Sequence, residues 1–164
     1  MAKSHLNPHL PAAGNAMIIR DILTDKGSQI YSVGPDTSVP DAAAFMIEKD
    51  ISSVVVLRNG AMAGLVTLRE ILRGLHHLGS KLVNVPVSEI MVANPVTGEP
   101  EDSVDRMRQL MTEHHITHLP VLEAGRLIGI LSFQDVARSM VKDVALENQL
   151  LKQYIKNWPE QNKA

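Results

Sequence analysis

The sequence predicts a mixed α/β (α+β) fold made of two similar halves, each running strand, helix, strand, strand, helix. Three observations lead there. Residues 30 to 75 lie over residues 95 to 140 at a constant offset of 65, without a gap. Pro35 then falls on Pro100, Ser38-Val39 on Ser103-Val104, Met46 on Met111, Ile51 on Ile116, Val56-Leu57 on Val121-Leu122, Gly60 on Gly125 and Gly64 on Gly129. The runs ISSVVVL and ITHLPVL are apolar or β-branched and too short for helices, so they read as buried strands. Each follows a stretch with apolar residues at helical spacing and precedes a turn pair. A duplicated fold carries a pseudo-two-fold axis. A cleft at the joint is then lined twice by equivalent residues, and function is sought there.

Taken in order, residues 1–16 are rich in Ala, Pro, Asn and His and are expected to form a mobile tail without the apolar stretch of a secretory signal. Each half opens with an extended piece, Gln29 to Val33 or Asn94 to Thr97. Thr37 or Ser38, and Asp102 or Ser103, then offer a helix N-cap. Val39, Ala42, Ala43, Met46 and Ile47 recur at helical spacing in the first half, and Val104, Met107, Leu110 and Met111 in the second. After the strands, Asn59-Gly60 and Ala124-Gly125 turn the chain into MAGLVT and LIGILS, giving β-hairpins. Gly64 and Gly129 sit inside the returning strands, where a missing side chain marks close approach by a backbone or a ligand. Helices over Leu68 to Leu75 and Phe133 to Val141 close the two units.

Beyond them, Val144, Leu146, Leu150, Leu151, Tyr154 and Ile155 share one broad face, interrupted by Glu147. This predicts a C-terminal amphipathic helix that folds back on its own core or packs against a second subunit. The resulting division is a tail over 1–16, a first unit over 17–80, a second over 81–141, and the C-terminal helix and tail over 142–164.

Bulk properties exclude several classes. At 164 residues the chain suits one domain, or two half-domains sharing a core. It is 45% hydrophobic with only two Phe, two Tyr and one Trp, so the interior is aliphatic. A net charge of -2 gives no electrostatic footprint for nucleic acid or an anionic membrane. The absence of cysteine excludes disulfides, thiolate metal sites and cysteine nucleophiles, and suits a reducing compartment, so a cytoplasmic location is expected. No apolar run approaches the roughly 20 residues that span a bilayer.

Two motifs carry possible chemistry. Thr67-x-x-Glu70 and Ser132-x-x-Asp135 lie where a hairpin strand meets the closing helix. A hydroxyl with an acid three residues later is a capping box, which satisfies free helix amides. The same carboxylate is an acceptor suited to the paired hydroxyls of a ribose. Both readings stay open at this point. His114, His115 and His118 invite a metal test, but the helical pattern stops near His114, so no zinc helix is expected and no metal site is assigned. Nor does any nucleophile, base and orienting group, or any Gly-rich phosphate loop, stand out.

Over about residues 17 to 141 the pattern resembles a tandem pair of cystathionine β-synthase (CBS) domains, a Bateman module. Its marks are PDTSVPDAAAFM with PEDSVDRMRQLM, the strands ISSVVVL and ITHLPVL, GLVTLREIL with GILSFQDVA, and the leaders RDIL and SEIM. The resemblance implies a regulatory module without catalysis that binds AMP, ADP or ATP and requires no cofactor. It implies that Ser132 and Asp135 grip ribose. Ile130 and the other half's Ile30, Tyr31, Ile51, Ser52 and Ser53 would complete that cleft. His118 stands where related modules often hold a basic residue near the phosphates, and Arg20 and Arg138 are further cation candidates. By symmetry a second cleft would combine Leu65, Thr67 and Glu70 with Val96, Thr97, Ile116, Thr117 and His118. Glu70 replaces the usual Asp and its extra methylene would push the acceptors outward, so this site is expected to be weaker. The resemblance also implies a homodimer and an unidentified regulated protein. The alternatives are an interaction module with a decayed site, or a variant binding S-adenosylmethionine or NAD.

Overall fold

The computed structural model describes residues 17–27 and 29–156; the tail expected over 1–16 lies outside them, and so do the side chains of Tyr154 and Ile155. Along the described chain run α1 (Ile19–Lys26), β1 (Ser32–Val33), α2 (Val39–Glu48), β2 (Ser53–Arg58), β3 (Ala61–Thr67) and α3 (Leu68–Leu78). After 3-10 turns at Gly79–Asn84 and Val87–Glu89 come α4 (Val104–Glu113), β4 (His118–Glu123), β5 (Arg126–Ser132) and α5 (Phe133–Lys156). Of the two cap candidates in each half, the serine takes the role. Ser38 Oγ accepts the Asp41 amide and Ser103 Oγ accepts the Arg106 amide, both at 3.2 Å. Asp102 instead accepts the Glu99 amide at 2.8 Å, closing the turn before α4.

Both hairpins form, β2 with β3 and β4 with β5, antiparallel. Each register shifts at the equivalent place, between Val56 and Leu57 and between Val121 and Leu122. The turns Asn59-Gly60 and Ala124-Gly125 put all four residues at positive φ, the geometry that lets a two-residue loop follow the strand twist.

The halves differ at the opening extended piece. In the first, β1 pairs parallel with β2, and the Val55 amide donates to Tyr31 O at 3.0 Å. In the second, the expected strand over Asn94 to Thr97 shrinks to one parallel bridge between Gly98 and Val121. Pro120 stands where the first half has Val55. It has no N–H to give to Val96, so the ladder cannot extend.

The two hydrophobic cores do not follow the repeat boundaries. One contains Val104, Met107, Met111, Leu119, Val121, Leu131 and Val136 of the second unit, together with Ile19, Ile22 and Leu23 of α1. The other contains Val39, Ala42, Met46, Val54, Val56 and Val66 of the first unit, together with Leu82 and Val87, with Ile90 and Met91 packed against it. Each repeat's leader is thus exchanged into the core of the other half. Backbone hydrogen bonds fix the exchange: Ile19 N to Asp102 O at 3.0 Å and Val104 N to Met17 O at 3.0 Å on one side, Val39 N to Val85 O at 2.9 Å and Val87 N to Thr37 O at 2.8 Å on the other. The expected division at residue 80 marks the repeat, not the packing.

At the C-terminus, the two helices expected over Phe133 to Val141 and from Val144 form one uninterrupted α5. No helix breaker separates them in the sequence. From Val141 onward its described side chains are all exposed, so the extension does not fold back on the described core.

Gly64 and Gly129 are the points where the exchanged leaders press on the sheets. A Cβ at Gly64 would lie 2.6 Å from Met91 Sδ and 2.8 Å from the Val92 carbonyl oxygen, whereas one at Gly129 would meet only the Leu23 side chain, at 2.8 Å. Val92 O accepts the Leu65 amide at 3.0 Å and cannot retreat without breaking that bond. Gly64→Ala is therefore expected to cost about 1–3 kcal/mol in urea denaturation. Gly129→Ala should cost less, because a leucine tip can turn away.

Candidate functional site

At the start of α5 the chain leaves β5 through Ser132 and enters the helix through Phe133. The Ser132 amide and hydroxyl both donate to Asp135 Oδ2, at 2.8 and 2.7 Å, and the Asp135 amide donates to Ser132 Oγ at 3.2 Å. This is a complete capping box, so the structural role of the motif is realised. One more donor reaches the same oxygen. Lys26 Nζ, from the last turn of α1, lies 2.6 Å from Asp135 Oδ2 and also donates to Ile130 O at 2.9 Å. Among the described residues no hydrogen bond falls on Oδ1. Burial pushes the Asp135 carboxyl up, but the bonds from Lys26, the Ser132 hydroxyl and the Ser132 amide outweigh it and leave the carboxyl below its ordinary 3.8. At neutral pH Asp135 is an ionised acceptor.

Asp135 opens on a cleft of about 260 Å³ that both halves build. The second half contributes His118, Ile130, Ser132, Gln134 and Asp135; the first contributes Gln29, Tyr31, Asp50, Ile51, Ser52 and Ser53, and α1 contributes Lys26. Eight of the residues singled out from sequence therefore meet: Ser132, Asp135, Ile130, Tyr31, Ile51, Ser52, Ser53 and His118. The Tyr31 ring is braced edge-on by Phe45, with centroids 6.1 Å apart. Ile51 and Ile130 give the cleft aliphatic walls.

Three of the singled-out residues stand elsewhere. Ile30 lines a different hollow, with Leu57, Met62 and Leu127, because neighbours on an extended chain face opposite sides and Tyr31 takes the cleft. Arg20 is engaged at the surface, donating to Glu101 at 2.8 Å and to Glu123 at 2.6 Å, and those bonds raise its pKa further. Arg138 lines a smaller pocket of about 110 Å³ with Ser139 and Lys142. Lys26 and Asp135 line that pocket too, so their ion pair is the wall between it and the cleft.

His118 lies at the joint. Its Nε2 is 2.9 Å from Ser52 Oγ and its Nδ1 3.0 Å from Thr117 Oγ1. Burial, and then the charge of Lys26, hold its pKa below the ordinary 6.5. At neutral pH it is an uncharged hydrogen-bonding group rather than the cation expected from the resemblance. The cation of the cleft is Lys26, which the sequence hides: beside Gly27 at a helix end, a lysine reads as a complement to the helix dipole.

The symmetric cleft is smaller, about 160 Å³, and holds Leu65, Thr67, Glu70, Val96, Ile116, Thr117 and His118, with Arg69, Asn94, His114 and His115 besides. Thr97 is not among its lining residues, again by strand alternation. Glu70 does not push outward. Its Oε2 folds back onto the Thr67 amide at 2.9 Å and onto the Thr67 hydroxyl, and the residue is 6% exposed. The extra methylene is spent on curling into its own cap. Between the two clefts runs a groove of about 690 Å³ lined by Arg69, Arg73, His76 and Gln134 and by the apolar Leu68, Leu72 and Phe133. His114, His115 and His118 all line the smaller cleft, but they do not share one helix face as a zinc helix would require: His114 caps the C-terminus of α4, His115 has φ 52° and His118 starts β4.

The CBS domain model matches residues 19–77 and 87–142. The chain belongs to the CBS-domain family. The CBS domain-containing protein YhcV of Bacillus subtilis is 30% identical over 119 residues, covering 73% of this chain and 82% of that protein. The mitochondrial CBS domain-containing protein CBSX3 of Arabidopsis thaliana is 34% identical over 147 residues, covering 84% of this chain and 71% of its own. Among solved structures, the CBS-domain protein ATU1752 of Agrobacterium tumefaciens superposes with TM-score 0.74 at 32% identity, over 76% of this chain and 99% of that one. No helix among the described residues is long and apolar enough to cross a membrane.

The half-buried, neutral His118 makes stability depend on pH. Because its folded pKa is depressed, the unfolded chain takes up the proton first as the pH falls. Its contribution is complete above about pH 6.5 and is lost below that value. The Tm is expected to drop between about pH 7.5 and 5.5, and His118→Gln should flatten part of that drop. Parallel slopes for the two proteins would contradict the assignment.

Proposed function

We propose that this chain is a cytoplasmic regulatory module that binds an adenosine nucleotide, of the AMP, ADP or ATP type, in the cleft of Ser132 and Asp135, with no catalysis of its own. One observation carries the reading: an ionised, nearly buried carboxylate from one half meets Tyr31 and Ile51 to Ser53 of the other half in a single cleft. Such a carboxylate accepts from the two hydroxyls of a ribose. Tyr31, Ile51 and Ile130 offer flat and aliphatic surfaces to a base, and serine hydroxyls and strand backbone offer groups to read its edge. The CBS domain pair of MJ0100, solved in complex with 5′-methylthioadenosine and S-adenosylmethionine, has the same fold at TM-score 0.69, although at 22% identity the likeness concerns the fold alone.

The two clefts are not equal in this reading. Glu70 is committed to its cap and its cleft is the smaller, so one ligand per chain is the favoured stoichiometry. A ligand that touches both halves can regulate only if it binds two states of the module with different affinity.

A second copy of the chain is part of the same proposal. Leu68, Leu72 and Leu75 line one face of α3, all more than half exposed, and their repeat counterparts Phe133 and Met140 lie exposed on α5. That apolar face continues through Val141, Val144, Leu150 and Leu151 on the extension. In an isologous dimer this face would meet the same face of a second copy.

Two measurements test these points. In a thermal-shift panel, AMP, ADP or ATP at about 100 times its dissociation constant should stabilise the chain by roughly 2.7 kcal/mol. Asp135→Ala should weaken that ligand more than Glu70→Ala does. Silence from every adenosyl ligand, S-adenosylmethionine and NAD included, would favour an interaction module with a decayed site. Leu68→Glu with Leu72→Glu, both at exposed positions, should give a monomer by light scattering while leaving the circular-dichroism spectrum unchanged.

A further inference from the structure

An ion pair lies across the carboxylate that a sugar would need. Lys26 Nζ sits 2.6 Å from Asp135 Oδ2, and Asp135 is only 11% exposed while Lys26 is 37% exposed. The other donors to Oδ2 are the amide and hydroxyl of Ser132, which form the cap of α5 and cannot leave without fraying the helix. A ribose offers two hydroxyls: one can take Oδ1, which no described donor holds, and the second, at Oδ2, has one donor it can displace, Lys26. Resting on the nucleotide reading above, we propose that Lys26 selects the ligand by charge. It covers Asp135 in the empty cleft and moves onto a phosphate when a nucleotide enters, so the site takes phosphate-bearing nucleosides and rejects neutral or cationic adenosyl compounds.

Charge balance drives the choice. In the empty cleft Lys26 and Asp135 neutralise each other. A nucleoside that engages Asp135 without bringing a negative charge takes away the one charged partner of Lys26 and leaves it the Ile130 carbonyl, so the attraction of the pair is lost with nothing to replace it. The neighbours do not relieve it. His118, Gln29 and Gln134 supply no negative charge in the cleft; Arg138 and Lys142 on the other side of the pair are cations; Asp25 is already 3.4 Å from Lys142. The cleft's other carboxylate, Asp50, is exposed and its attraction is screened by water. A phosphate supplies the missing charge, whereas a sulfonium adds a second positive one. The flexible four-carbon stem of lysine allows the move while the helix stays in place.

The repeat supplies a comparison inside the molecule. Leu23 and Met91 occupy equivalent places, one against Gly129 and the other against Gly64. Past Met91 the offset between the halves falls from 68 to 65, so Lys26 has no strict counterpart, and the residue that lines the smaller cleft after Met91 and Val92 is the uncharged Asn94. Arg69 also lines the smaller cleft, but among the described residues no ion pair covers Glu70, so a carboxylate covered by a cation is found in one cleft of the two.

Isothermal titration of the full chain with AMP, adenosine and S-adenosylmethionine, for the native protein and for Lys26→Met and Lys26→Arg, tests the inference. The native protein should bind AMP at least roughly tenfold more tightly than the other two, the factor that a single charge-assisted hydrogen bond supplies. Lys26→Met should weaken AMP by about tenfold and tighten adenosine severalfold, because Asp135 is uncovered. Lys26→Arg keeps the charge and should keep the preference, which separates selection from any loss of folding in the methionine variant. A Lys26→Met protein that weakens AMP and adenosine by the same factor overturns the inference, and so does a native protein that binds adenosine as tightly as AMP. A native protein that binds none of the three overturns the nucleotide reading itself, and this inference with it.

Discussion

The exchange of leader segments is the constraint on which the rest of the structure depends. Ile19, Ile22 and Leu23 precede the first repeat but are buried in the core of the second, and Leu82 and Val87 precede the second but are buried in the first. A fully buried aliphatic side chain contributes about 1.5–3 kcal/mol, and whole domains are stable by only about 5–15 kcal/mol. Two or three such residues are a large share of what either half possesses. Each half is therefore completed by a piece of chain from outside its own repeat, and the two become one folding unit. The close packing at Gly64 and Gly129 follows from the same exchange, since those glycines make room for Met91 and Leu23. So does the position of Lys26, carried across to Asp135 by the helix that buries Leu23.

The capping boxes show how one motif diverges into two uses. Thr67 with Glu70 and Ser132 with Asp135 start equivalent helices and hold equivalent hydrogen bonds. Glutamate is long enough to curl completely into its cap, and Glu70 ends buried. Aspartate is shorter, and after satisfying the Ser132 donors its carboxylate still faces the joint, where Lys26 meets it. The capping role is true of both copies. What distinguishes the second is what else its carboxylate faces, and that depends on residues far away in sequence.

Legibility from sequence divides along the same line. Hairpins, capping serines and helix faces are set by contacts within a few residues, so turn pairs such as Asn59-Gly60 and spacings such as Val104, Met107 and Met111 announce them. The meeting of Ser132 and Asp135 with Tyr31 and Ile51 to Ser53 is legible through the family resemblance, which implies that each cleft is completed by the other half. Ile30 and Thr97 fall on the side opposite to the one expected because the phase of an extended pair is not fixed until its partner strand is known. Pro120 is visible, but its effect on the opposing ladder needs the parallel register of the other half. Lys26 is hidden most deeply, since a lysine before Gly27 has a sufficient local explanation. Only the exchange of leaders, which leaves no periodic trace, brings it to Asp135.

These facts together constrain how occupancy of the cleft could be felt elsewhere. His118 is kept uncharged by burial, so the charge-bearing members of the cleft's interior are Asp135, fixed by the cap of α5, and Lys26, fixed to α1. A ligand that separates this pair acts on two helices at once. One face of α1 is sealed into the second-half core, and α5 runs on from its cap into the exposed apolar extension. The event at the carboxylate is thus linked by continuous backbone to the surface where a second copy would sit. Packed cores respond to such a change by choosing between discrete arrangements rather than by bending gradually. In the proposed reading, the ion pair between α1 and α5 is the place where a bound nucleotide would have leverage over that choice.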